Sequence, residues 1–167
     1  PIWTRGHRNP QGLAYNPATD LLYDIEHGDR TDDESNVIIR GSNYGWPHVR
    51  GYHDGNIDNT SFTVNSGATT ITYNETNFVN NYVPNNATID GDALRPALYS
   101  WGTQPGNPTG TGTSTWPGVA PSDGIYYGST AIAAWTNSLL VVSLKDVAGN
   151  NIDAEVHQLK LDAAGTS

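Results

Sequence analysis

One short block, Gly6-His7-Arg8-Asn9-Pro10-Gln11-Gly12, sets a guanidinium beside a carboxamide on a Pro/Gly-rich turn. That pair can offer a fork of N–H donors and an amide to one edge of an anionic, carbonyl-bearing ligand. A cation beside a reacting carbonyl also stabilises the oxyanion that forms there. The competing reading is a turn arginine paired with Asp32 or Asp33. Further on, the consecutive acids Asp32-Asp33-Glu34 repel one another, and a bound dication would relieve the repulsion. The run lacks the central glycine and terminal glutamate spacing of an EF-hand. Lys145 ends the apolar run Leu139 to Leu144, either as a counter-charge for an anion or as a strand-end surface lysine. Trp116 offers a ring for stacking or a buried core side chain. No phosphate loop, zincin helix or nucleophile elbow is present.

Composition narrows the classes. The 167 residues suffice for one ordinary domain. There are 8 Lys plus Arg against 17 Asp plus Glu, a net charge of −9, which repels phosphate backbones and argues against a nucleic-acid partner. With no cysteine, neither disulfides nor thiolate chemistry contribute. No stretch approaches the roughly 20 apolar residues of a membrane span. Abundant Asn, Thr, Gly and Ser with few lysines resembles the look of exported bacterial proteins. Pro1-Ile2-Trp3 has neither the basic start nor the apolar core of a signal peptide. The expectation is a mature segment or an excised piece of a longer chain.

The elements that would position these residues are short strands. No window keeps apolar residues at i, i+3, i+4 and i+7 for three turns, and apolar runs are separated by turn residues instead. Leu13 to Tyr15 and Leu21 to Ile25 flank Asn16-Pro17-Ala18-Thr19-Asp20, a predicted hairpin. Val37 to Ile39 is a further strand. Residues 51–96 are polar and Asn-rich and read as a surface insertion, with short strands at Phe62 to Val64 and Thr69 to Tyr73. Three glycosylation triplets begin there at Asn59, Asn74 and Asn86, where chance matches are expected. A Gly/Pro/Thr tract from Gly102 to Ser114 reads as a loop. Ile125 to Tyr127, Leu139 to Leu144 and Val156 to Leu161 are the clearest strands, the last alternating as a half-buried edge should. Repeated strand-turn-strand units of this size suggest propeller blades. The prediction is an all-β chain forming a partial β-propeller, about two to three blades with long loops, in a single domain over 1–167.

The ordered set Gly6 to Ala14, Glu26-His27-Gly28-Asp29, Asp32 to Asn36 and Gly41-Ser42-Asn43-Tyr44-Gly45-Trp46-Pro47 resembles the glucose/sorbosone dehydrogenase family. Trp116-Pro117-Gly118-Val119-Ala120-Pro121-Ser122 and Leu139 to Lys145 support it. The likeness covers about residues 5–52 and 97–162. It implies a six-bladed quinoprotein propeller, the cofactor pyrroloquinoline quinone (PQQ) with Ca2+, and oxidation of an aldose sugar at C1 to the lactone. It also implies electron delivery to an external acceptor and a periplasmic or secreted location. Remaining propeller segments or a homo-oligomer would complete the ring.

By the same resemblance, Arg8 and Asn9 touch the quinone oxygens, and Arg8 supplies electrostatic catalysis. Asp33, Trp116, Gly118 and Lys145 line the cofactor, Lys145 facing a carboxylate. Where the family has a threonine hydroxyl, Gly118 has none. Backbone carbonyls of Gly28 and Asp29 hold the calcium beside PQQ, although the family often has proline where Asp29 stands. Glu34 and the carbonyl of Tyr44 match a second, structural calcium. The family's histidine base lies upstream of the Gly-His-Arg-Asn block; His7 reads as a turn or core histidine and does not replace it, nor does His27. The isolated chain is therefore expected to be inactive. The alternatives from other classes are a non-catalytic extracellular binding module and, more remotely, a carbohydrate-binding domain using Trp101 or Trp116 as a platform.

Overall fold

The computed structural model describes residues 2–64, 69–84, 93–104, 117–145 and 154–166. Strand β1 (Pro10–Asn16) turns into β2 (Leu21–Glu26), where the Asn16 side chain accepts the Ala18 amide at 3.0 Å and Asp20 takes a left-handed φ of 58°. Strand β3 (Asp33–Ile38) follows, beginning four residues before the apolar Val37-Ile38 pair and so carrying Asp33 and Glu34 into the ladder. The insertion contributes a hairpin, β4 (Ser61–Val64) and β5 (Thr69–Thr72), and one short helix, α1 (Glu75–Asn80). Asn74 caps α1 by accepting the Asn77 amide at 2.8 Å. At six residues the helix is too short to show a periodic apolar face. Then come β6 (Tyr99–Trp101), β7 (Pro121–Tyr127), β8 (Ser138–Ser143) and β9 (Val156–Lys160).

These strands form two blade-like antiparallel sheets, β1-β2-β3-β6 and β7-β8-β9, with β4-β5 separate. The chain is an all-β, partial β-propeller. The first strands of the two blades run so close that a Cβ on Gly12 would lie 2.8 Å from the Asp123 Cα. Both strands carry a register shift at this point, between Pro10 and Gly12 and between Pro121 and Asp123.

Between the blades lies the core: Tyr23 and Ile25 of β2, Leu139 and Val141 of β8, Leu159 and Trp101. Each fully buried aliphatic side chain contributes about 1.5–3 kcal/mol. Trp101 is buried there and packs edge-on against Tyr99, which overturns its reading as a carbohydrate platform. The Asn86 triplet, most of the Gly/Pro/Thr tract and Trp116 lie outside the described residues.

Candidate functional site

At one end of the two blades a cleft of about 440 Å³ opens. From the first blade come Arg8, Asn9, Gly28, Asp29 and Asp33, and from the second come Gly118 and Lys145. The structure thus gathers seven of the predicted residues, drawn from positions 8 to 145, around one concavity. Three cationic side chains, Arg8, Arg30 and Lys145, line it against the two carboxylates of Asp29 and Asp33, a local balance opposite to the acidic whole.

Asp33 is not the partner of Arg8. It is 5% exposed, and its carboxylate accepts the Gly28 amide and the Ala120 amide, each at 2.8 Å. One side chain therefore ties the β2–β3 turn to the segment entering the second blade. This explains Gly118: a Cβ there would lie 2.6 Å from the Asp33 Oδ2, so a side chain has no room beside the carboxylate. Gly28 is held as tightly, since a Cβ would fall 1.9 Å from the Thr31 carbonyl oxygen.

Lys145 is not a surface lysine. It is 7% exposed, its amide donates to the Val119 carbonyl at 3.1 Å, and its carbonyl accepts from the Ser143 hydroxyl. Arg8 donates from Nη1 to the His27 carbonyl at 3.2 Å, and its Nη2 stands 3.9 Å from Asp29 rather than beside Asp32 or Asp33. Asp29 also faces Arg50, at 3.3 Å. The two guanidinium groups lie over Trp46, 5.5 and 5.6 Å from its ring. Trp46 is half-buried beneath these cations.

Behind the cleft is a buried polar network. Glu26 of β2 accepts the Arg8 and Asn9 amides on Oε2, at 2.8 and 3.1 Å, and takes Asn36 Nδ2 on Oε1 at 2.9 Å. His7 Nδ1 lies 2.9 Å from Asp24 and 3.1 Å from Glu26, while its ring stacks on Tyr44 at 4.5 Å. Burial works against charge on His7, but hydrogen bonding to Asp24 and Glu26 prevails and its pKa is pushed up to about 9. His7 thus serves the structure, its ring held against two carboxylates that favour its protonated form.

Glu34 and Tyr44 lie away from the cleft. Glu34 is directly opposite Glu26 in the β2–β3 register and accepts the Gly51 amide at 2.6 Å. Burial, then the Glu26 charge, pushes its pKa up to about 8. The Tyr44 hydroxyl accepts the Ile39 amide at 2.9 Å and donates to the Val37 carbonyl. Sequence reasoning missed Arg30, Arg50 and Glu26. Arg30 and Glu26 had a signal, lying beside and at the head of the Glu26-His27-Gly28-Asp29 block; Arg50 had none.

This arrangement has relatives. The glucose/sorbosone dehydrogenase family matches residues 1–79. Quinoprotein glucose dehydrogenase B of Acinetobacter calcoaceticus is 39% identical over 158 residues, 86% of this chain and 33% of that protein. The chain is a partial member of the glucose/sorbosone dehydrogenase family. An aldose sugar dehydrogenase of Escherichia coli K12 is 54% identical to this family member over 46 residues, 28% of the chain and 12% of that protein. The PQQ-bound aldose sugar dehydrogenase of Streptomyces coelicolor aligns with 94% of the chain and 32% of its own length, at 20% identity and a TM-score of 0.46. This family member therefore spans about a third of the length of the glucose dehydrogenase it matches.

Proposed function

We propose that the chain is the part of a PQQ- and calcium-dependent aldose dehydrogenase that holds one face of the cofactor. The single observation carrying this is the convergence of Arg8, Asn9 and Lys145 on one cleft of about 440 Å³. A flat polyanion needs fixed cations on opposite sides of a slot, and these come from the two blades. When bound, the ortho-quinone supplies a hydride acceptor. Arg8 and Asn9 direct donors to one edge of it, and Arg8 offsets the negative charge that develops there. Lys145 neutralises a carboxylate on the far side.

Gly28 and Asp29 line the same cleft and hold the calcium beside the cofactor through their carbonyls; oxygen donors suit that hard cation. Glu34 suits the second calcium, because a dication would offset the burial and the Glu26 charge that together push its pKa up to about 8. Both kinds of group fit the residues present. The whole enzyme oxidises an aldose at C1 to its lactone, passes electrons to an external acceptor, and works in the periplasm or outside the cell. Among the described residues no helix is long and apolar enough to cross a membrane. This stretch alone binds the cofactor and does not turn over sugar.

Titration of the chain with PQQ and calcium, followed by quinone absorption, tests the reading. A saturable, chelator-sensitive shift is expected, weakened tenfold or more in Arg8→Ala, the size of a lost charge-assisted hydrogen bond. No shift in the unaltered chain leaves the non-catalytic binding module instead. Dye reduction by the chain with glucose, PQQ and calcium would overturn the expected inactivity.

A further inference from the structure

We infer that Glu26 is the positioning residue for the cation edge of the cleft: its buried carboxylate shapes the Arg8-Asn9 turn and thereby sets the affinity for a planar anion. The identity of that anion rests on the proposed cofactor; the shape of the turn does not.

Glu26 closes β2, is 2% exposed, and has both oxygens saturated. Oε2 takes two consecutive main-chain amides, those of Arg8 and Asn9. Oε1 takes the Asn36 side chain and faces His7. Successive amides converging on one oxygen make an anion-binding concavity of the backbone, here filled from within. A backbone that turns its N–H groups inward sends its side chains outward, and Arg8 and Asn9 do line the cleft. The turn closes further where the His27 amide donates to the Asn9 carbonyl at 3.1 Å. Arg8 rests on the His27 carbonyl and Trp46, and Asn9 takes the Gln11 side-chain amide, but both stand on a turn whose course is set by this main-chain anchor.

The network is polarised as well as full. His7 reaches Thr4 through Nε2 at 3.0 Å, and its ring rests on Tyr44, which fixes the imidazole against the carboxylates. His7, Asp24 and Glu26 offer ligand atoms within 4.8 Å of one another, yet the separations of 2.9 and 3.1 Å are those of hydrogen bonds. Hydrogen bonding at these separations ties the imidazole to both carboxylates. Glutamate suits position 26 because four donors surround it. A glutamine would turn an NH2 group towards donors on one side or the other, and an aspartate falls a methylene short.

The experiment is hydrogen exchange at individual amides, paired with the quinone titration. In Glu26→Gln the Arg8 and Asn9 amides are expected to exchange at least tenfold faster, while the Tyr23 and Val37 amides keep their protection. The apparent Kd for PQQ with calcium is expected to rise about tenfold or more. Unchanged exchange at those two amides overturns the inference. So does faster exchange with unchanged PQQ affinity, which would make Glu26 a fold residue only. If the unaltered chain gives no quinone shift, the cofactor reading fails, and the exchange result still decides what Glu26 does to the turn. If Glu26→Gln does not fold, Glu26→Asp, whose carboxylate falls a methylene short of the Arg8 and Asn9 amides, is read in the same way.

Discussion

The two walls of the cleft are built differently. In the first blade, Arg8, Asn9, Gly28, Asp29 and Asp33 lie within a stretch of 26 residues; Arg8, Asn9 and Gly28 are held by hydrogen bonds inside it, while Asp29 faces Arg50 and Asp33 also reaches Ala120. The second wall, Gly118, Ala120, Leu144 and Lys145, is held by main-chain bonds from the Leu144 and Lys145 amides to the Ala120 and Val119 carbonyls, and Asp33 reaches its Ala120 amide from the first wall. The first wall is a locally folded donor set; the second is docked. It follows that damage to blade packing should separate the walls, whereas damage to the His7 network should distort only the first.

The largest effect is expected from Leu139→Ala. Leu139 is fully buried between the blades, and its truncation should cost about 2–5 kcal/mol, read as a fall in the urea midpoint. The comparison sharpens if Arg8 and Asn9 amide protection then survives to higher urea than that of Val141. Next is Asp33→Ala, which leaves the Gly28 and Ala120 amides without their acceptor and should cost about 1.5–3 kcal/mol. A loss in both walls confirms Asp33 as the tie; an unchanged urea midpoint would show the walls docked without it.

The smallest effect is a pH dependence confined to the first wall. His7 holds its proton in the folded state up to about 9, above its ordinary value of 6.5. The folded chain therefore binds more protons than the unfolded one between those values. Its contribution to stability is complete below pH 6.5 and is lost as pH rises towards 9. Urea midpoints measured across that window should fall in the unaltered chain and fall less in His7→Gln; parallel slopes would remove His7 from the account.

Much of the first wall was legible because it is contiguous. The Asn16-Pro17 turn, the hairpin around it and the Arg8-Asn9 block are short-range features, and the strands appear where alternation and turn residues put them. The short helix was not legible, since six residues give no period. The burial of β2 was not legible either. Tyr23 to Glu26 looks half-exposed by alternation, yet all four are buried. Tyr23 and Ile25 face the second blade, while Asp24 and Glu26 face His7 and Asn36. A strand covered on both faces by different partners hides which of its acids are structural.

By itself the sequence determined the all-β class, the positions of most strands, and the family block that sets a guanidinium beside an amide. Those depend on neighbours a few residues apart. The tertiary structure alone decided that Asp33 bridges the walls, that Lys145 is buried at the cleft, and that Glu26 stands behind the turn. The physical reason is that the cost of burying a charge, and the partners that offset it, are fixed by groups up to 87 positions away, which no local pattern records.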